Sequence, residues 1–233
     1  MARASRLGSR RKSSSQPDRA ARSPCNTEGV SAETRVVLEI GTRMTFAVAL
    51  DWPGWARRSR TADGALGALM AYAPRYQRVA GDRFLPGAVS VVGEVDGGSA
   101  TDFGVLAGPS LWDDEPLPAN DVELFIDVLE RAWAAFDAAA DAASAELRKG
   151  PRGGGRDRDQ IVAHVRNAER AYGAKASVRM PVATPWPVGR AALVAALRTG
   201  CPGPAWPPRY LARRVSWHVL DHLWEIEDRS DRS

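Results

Sequence analysis

The sequence predicts an α+β protein in two parts, a small strand-rich domain over residues 34–110 and a four-helix bundle over residues 120–230. Three observations predict it. β-branched runs at Val36–Ile40 and Met44–Leu50 stand close together with turn residues between them. Beyond residue 120, apolar side chains recur instead at helical spacing over long stretches. Between the two regions, Pro109, Pro116 and Pro118 sit among acidic residues, so residues 111–119 read as a linker.

The two β-branched runs, separated by Gly41-Thr42-Arg43, predict a hairpin. After Asp51-Trp52-Pro53-Gly54-Trp55, Thr61 stands as an N-cap before Ala65, Leu66, Leu69, Met70 and Ala73, which predicts an amphipathic helix ending at Pro74. Gly64 and Gly67 each weaken that helix by roughly 1 kcal/mol relative to Ala, so it must dock on the sheet to persist. Further strands fit Ala88–Val95 and Phe103–Ala107, divided by the Asp-Gly-Gly-Ser turn signal. Trp52 and Trp55 are expected in core or edge packing, with a pocket or interdomain contact as the other use of their rings.

The second half reads as four helices. Asn120 followed by Glu123 has the spacing of a capping box, and Val122, Phe125, Ile126, Leu129, Trp133 and Phe136 follow at helical intervals until the pattern fades toward Lys149. Pro151-Arg-Gly-Gly-Gly-Arg156 stops the helix. A second helix begins near Asp157 or Asp159 and runs to Tyr172-Gly173, with Ile161, His164, Val165, Ala168 and Tyr172 on one stripe. The Pro-rich stretch 181–187 leads into a third, Val188–Arg198, and the last starts at Pro207-Pro208 and continues to about Asp228.

Length and composition fit a soluble globular protein: 233 residues, 44% hydrophobic and 26% charged, allow a real core. The net charge of +4 is not spread over the chain. Residues 1–33 hold seven basic and three acidic side chains, so the whole excess lies there and the body is neutral. Such a basic, Ser-rich tail is expected to be disordered, either a solvated extension or an arm with weak attraction for polyanions. No apolar segment follows its arginines and no run of 18 uncharged apolar residues occurs, so a cytoplasmic protein without membrane spans is expected. Cys25 and Cys201 form no C-x-x-C pattern. Cys201, in a Gly-Cys-Pro-Gly-Pro turn, is either an incidental loop cysteine or a reactive thiol beside a site.

The chemistry lies with three histidines. His218 and His222 are four residues apart on the last helix, which puts both imidazoles on one face, about 40° apart. His164 falls on the inward stripe of the second helix, and the chain has only these three. Bundles build metal sites from ligands on facing helices. Spacing alone leaves three readings open: a metal site, structural histidines, or acid-base histidines without a metal. Arg214 and Glu225 fall within roughly 40° of His218 on the same wheel.

Two resemblances add to this. Phe46-Ala-Val-Ala-Leu-Asp-Trp-Pro-Gly-Trp55, continued by Arg-Arg-Ser-Arg-Thr-Ala-Asp-Gly-Ala-Leu, resembles the HicB-like antitoxin domain, where a strand ends in a Pro-Gly turn, a short strand follows and a Thr opens the helix. The resemblance implies a ββ-α-β scaffold, and no helix-turn-helix or ribbon-helix-helix extension accompanies it here. Ile161-Val-Ala-His164-Val-Arg-Asn-Ala-Glu-Arg170 and Arg213-Arg-Val-Ser-Trp-His218-Val-Leu-Asp-His222-Leu-Trp-Glu-Ile-Glu-Asp228 resemble the second and fourth helices of the DinB-like superfamily of metal-binding four-helix bundles. That superfamily includes mycothiol-dependent and bacillithiol-dependent transferases and a mycothiol-dependent maleylpyruvate isomerase. Its metal triad, one histidine on helix two and an H-x-x-x-H pair on helix four, falls on His164, His218 and His222.

Three neutral imidazoles around a divalent ion leave a position open for water or substrate, as catalytic sites do. Zinc is the default on ligand type, and imidazole also suits nickel, copper and iron. The expectation is therefore a metal-dependent thiol transferase or isomerase using a mycothiol-like thiol and a small-molecule substrate, with Arg214 holding a carboxylate and Glu225 or Asp221 orienting a histidine. Surface or interhelical salt bridges are the other use of these charges. The alternative function is a non-catalytic, metal-stabilised ligand-binding or regulatory protein acting through the N-terminal module, and a homodimer fits either. No G-x-G-x-x-G, phosphate loop or G-x-S-x-G stands in a suitable context, and Gly153-Gly154-Gly155 lacks a Lys-Ser/Thr partner, which argues against nucleotide binding and serine hydrolysis.

Overall fold

The computed structural model describes residues 33–150, 154–200 and 206–230. The basic tail through residue 32, Cys25, residues 151–153 and Cys201 with its turn lie outside the described residues. The architecture is α+β: a four-stranded sheet followed by helices, in the order β1 (Thr34–Ile40), β2 (Thr45–Ala49), β3 (Ala56–Ser59), α1 (Ala62–Ala80), β4 (Val89–Asp96), α2 (Gly98–Phe103), α3 (Ala119–Ala142), α4 (Arg158–Lys175), α5 (Trp186–Thr199) and α6 (Pro208–Arg229). None of the described helices is long and apolar enough to cross a membrane.

The hairpin pairs β1 with β2 antiparallel, Val36 opposite Ala49 and Ile40 opposite Thr45. Its turn is capped by Asp102, whose carboxylate accepts the backbone N–H groups of Thr42, Arg43 and Met44. β3 adds to β2 antiparallel, and β4 lies parallel to β1 on the other side, giving the order β3-β2-β1-β4. A parallel pair needs a long crossover, and α1 supplies it.

Thr61 caps α1 through Gly64 N–H, as its position predicts. The helix does not end at Pro74 as expected; it continues to Ala80. Proline there removes one hydrogen bond and crowds the preceding turn. Against that cost, the extra turn buries Tyr76, Val79 and Ala80, and Tyr76 donates its hydroxyl to the Pro53 carbonyl at 2.8 Å. Gly81, at φ +76°, then closes the helix through its N–H to Gln77.

Trp52 and Trp55 are both core residues, packed edge-on against Phe84, with the Trp55 indole N–H donated to the Leu69 carbonyl. Residues 103–107, expected as a strand, do not join the sheet. α2 takes up Gly98–Phe103, and Leu106 lies instead in a second apolar cluster with Phe46, Val48, Ala56 and Trp217. The segment needs no ladder because side chains satisfy its backbone. Ala107 N–H donates to the buried Glu39 carboxylate at 2.7 Å, the Ala107 carbonyl accepts the Tyr210 hydroxyl, and the Leu106 carbonyl accepts from Arg214.

The stretch expected as a linker carries a single 3-10 turn, Leu111–Asp113, whose Asp113 is buried and makes a two-oxygen contact with Arg213 of α6. α3 starts at Ala119 behind Pro118, so Asn120 and Glu123 lie inside its first turns rather than forming a cap, and Glu123 pairs with Arg198. α3 stops at Ala142, short of Lys149. Beyond it the chain is drawn away from the helix axis: Arg158 donates to the Ala143 carbonyl, Leu147 N–H to Asp157, and Arg148 N–H to Arg229.

α3, α4, α5 and α6 pack against one another, and α1 packs on α3. α6 is the spine. From Arg209 to Leu220 every residue is buried, which marks a helix covered on all sides. Its Leu220, Leu223 and Ile226 share one core with Val36, Leu38 and Leu69 of the sheet region, while Trp217 meets Phe46 edge-on at 6.1 Å. Gly54, at φ +88°, seats the Pro-Gly turn directly on α6. A Cβ at that position would lie 2.8 Å from Leu220 and 3.0 Å from the Ser216 backbone.

Candidate metal centre

Asp157 opens α4 with a capping box to Gln160, so the phase of the helix is fixed four residues before Ile161, whose side chain is fully buried. With Ile161 and Val165 in the core, His164 projects from the edge of the same stripe and is half-buried toward α6. On α6, Pro207 and Pro208 start the helix and its all-round burial holds the register, placing His218 and His222 on the side that meets α4. Both are 7% exposed, so only a small window reaches solvent from them.

The three rings converge. Their centroids are 5.0 Å (His164 to His218), 4.9 Å (His164 to His222) and 4.6 Å (His218 to His222) apart. One nitrogen from each lies within 4.8 Å of the other two. The Nε2 atoms of His164 and His218 approach to 3.1 Å. Two imidazole nitrogens bound tetrahedrally to one zinc stand about 3.3 Å apart, since each bond is about 2.0–2.1 Å. The observed separation also suits a hydrogen bond between the rings, with one nitrogen protonated.

The surroundings keep the rings available as neutral ligands. His222 donates Nδ1–H to Glu225 Oε2 at 2.8 Å, which fixes its tautomer and leaves the Nε2 lone pair free. Glu225 is itself held by Arg229, 2.6 Å from its other oxygen. The hydrogen bond from His222 comes first among the causes that keep the Glu225 carboxyl below its ordinary range, with Arg229 adding to it. His218 is pushed down to about 2, by burial first and then by His222, His164 and Arg214. Burial, His222 and Arg156 lower His164 as well. The His218 and His164 rings are therefore neutral at pH 7, the state in which imidazole binds metal. His218 Nδ1 is buried with no partner among the described residues.

The other residues expected at the site divide. Glu225 contacts His222 directly. Arg214 lies one turn before His218, its guanidinium 5.2 Å from the Tyr172 ring and 5.2 Å from the Trp217 ring. Asp221 is exposed and makes no hydrogen bond to a histidine among the described residues, so the orienting carboxylate is Glu225. Two contributors were not singled out from the sequence. Tyr172, placed there only as a packing residue, stands edge-on to His218 at 5.5 Å and contacts Arg214. Arg229, four residues after Glu225, had a readable signal in that spacing.

The arrangement can hold one divalent ion from three imidazole nitrogens, with a positioned histidine, an aromatic wall and a buried cation beside it. No family model, curated protein or solved structure matches the chain.

Proposed function

We propose that this protein is a metal-dependent enzyme of the DinB-like type, in which His164, His218 and His222 hold one divalent ion, zinc by default and nickel or iron as other occupants, and a low-molecular-weight thiol is the co-substrate of a transfer or isomerisation. The observation that carries the proposal is the convergence of all three histidines of the chain, from two helices, with their nitrogens within 4.8 Å. A bound ion would supply Lewis acidity, lowering the pKa of a bound thiol or water toward neutrality and polarising a carbonyl.

The chain's own residues do the rest. His218, enclosed by Tyr172, Trp217 and the other two imidazoles, stays neutral and rigid. Glu225 orients His222 and raises its basicity as a ligand, and Arg229 stops Glu225 from rotating away. His164, the most accessible of the three, marks the side from which a substrate enters. On the His218 side, Tyr172 packs with Trp206, their ring centroids 5.3 Å apart, and this aromatic pair limits bulk water there.

The experiment is turnover. Protein loaded with zinc is incubated with a mycothiol-like thiol and a panel of small electrophiles, and thiol consumption is followed. Consumption that depends on the metal and is abolished in His164→Ala supports the proposal. No turnover across a broad panel by protein shown to hold one ion counts against catalysis and favours a metal-stabilised binding protein acting through the N-terminal module.

A further inference from the structure

α6 carries three buried arginines, Arg209, Arg213 and Arg214, and they are not equivalent. Arg213 is paired with the Asp113 carboxylate through Nε and Nη2, with three N–H contacts between 2.7 and 3.0 Å. Arg209 has a buried Nε without a partner as well, but it lies 3.8 Å from Asp51, at the end of the helix remote from the histidines. Arg214 has no carboxylate within salt-bridge distance among the described residues, although it is 8% exposed. A guanidinium offers five N–H donors in a planar fork. Here one described acceptor is present, the Leu106 carbonyl 2.6 Å from Nη1, and Nε is buried without a partner.

A buried cation in that state costs free energy unless an anion completes it. Of the buried carboxylates around it, Glu39 acts on Arg213 and Arg214 through space but makes its hydrogen bond to the Ala107 N–H, and Asp113 is engaged by Arg213, so neither touches Arg214. Arg214 is held in place rather than left to swing: Tyr172 and Trp217 flank its guanidinium, and Leu106 anchors one end. The Tyr172 ring lies 5.2 Å from the Arg214 guanidinium and 5.5 Å from the His218 ring, so it neighbours both. Arg214 and His218 are four residues apart, about 6 Å along the helix axis.

We propose that Arg214 is the anion-binding element of this site, and that the small molecule handled at the histidines carries a carboxylate set one helical turn away from its metal-binding atom. The proposal rests on the reading of the three histidines as a metal site. It assigns the substrate class: a short molecule with a donor atom at one end and a carboxylate at the other, read by the fork of Arg214 beside the Tyr172 face. Arg214 is then a specificity-determining residue and supplies no proton to the chemistry.

The test uses cobalt-loaded protein, because cobalt reports coordination by its visible spectrum. Mercaptopropionate and mercaptopropanol share a thiol and a chain length and differ in the carboxylate. The wild type is expected to bind mercaptopropionate about tenfold or more tightly than mercaptopropanol, the effect of one charge-assisted hydrogen-bonded contact. That preference disappears in Arg214→Gln and survives in part in Arg214→Lys, with the cobalt spectrum of the ligand-free protein unchanged. Equal affinities in the wild type overturn the proposal, whether or not Arg214→Gln folds. So does a preference that persists in a folded Arg214→Gln. Failure of the wild type to take up cobalt overturns the metal reading and this inference with it, and is distinguished from the other failures by the absence of a cobalt spectrum.

Discussion

Replacing Glu225 by glutamine isolates the contribution of one carboxylate to the site. The amide oxygen can still accept the His222 Nδ1–H, so the ring orientation is kept and the charge is lost. Groups that hydrogen-bond a metal-bound imidazole change metal affinity by about 10–100-fold. The lower end applies here, because the Glu225 side chain is 27% exposed and its other oxygen is already engaged by Arg229 at 2.6 Å. The expected loss is therefore about tenfold, or ~1.4 kcal/mol. Glu225→Ala, which also frees the ring, is expected to lose more. The assay is competition for zinc against a chromophoric chelator at pH 7.5, with circular dichroism to confirm that each variant is folded. Affinity in Glu225→Gln within about twofold of the wild type would refute the claim that this hydrogen bond tunes a metal ligand.

The remaining predictions concern stability. Asp113→Ala leaves Arg213 buried without its partner, and urea unfolding is expected to show a loss of about 3–5 kcal/mol; a change near zero would contradict the buried pair. Gly54→Ala puts a Cβ 2.8 Å from Leu220 at a positive φ, and is expected to cost about 1–3 kcal/mol in the same assay. In metal-free protein His218 stays neutral when folded but gains a proton when unfolded below its ordinary pKa of 6.5. Its folded pKa is depressed, so the unfolded state binds more protons and stability falls as pH drops from 6.5 toward about 2. Below pH 6 the wild type is expected to lose up to ~1.4 kcal/mol per pH unit more than His218→Phe, and equal slopes would contradict it.

Much of this fold is legible because its signals are local. The hairpin follows from two β-branched runs and a short turn, and α4 from the Asp157 cap and its stripe. The histidine pair follows from a four-residue spacing, and His164 from lying on a core-facing stripe in a chain with three imidazoles. What was not legible depends on partners far along the chain. Pro74 punctuates a sequence pattern, but Tyr76 beyond it finds a place under Pro53 that local patterning does not reveal. Residues 103–107 have strand composition, yet Glu39, Tyr210 and Arg214 take their backbone groups. The acidic stretch read as a linker hides Asp113, because nothing local distinguishes the carboxylate that meets Arg213 from Asp114 beside it. Tyr172 fits the helical stripe as packing, and its second role emerges only with Arg214 and His218 in place.

The central claim is one ion shared by two helices, and metal content measures it most directly. Untagged protein, dialysed against zinc and then metal-free buffer, is assayed by elemental analysis alongside His164→Ala, His218→Ala and His222→Ala. One zinc per chain in the wild type, and its loss or severe weakening in each single variant, is the predicted result. A wild-type chain that retains no divalent ion, or one whose ion is indifferent to His164, contradicts the account.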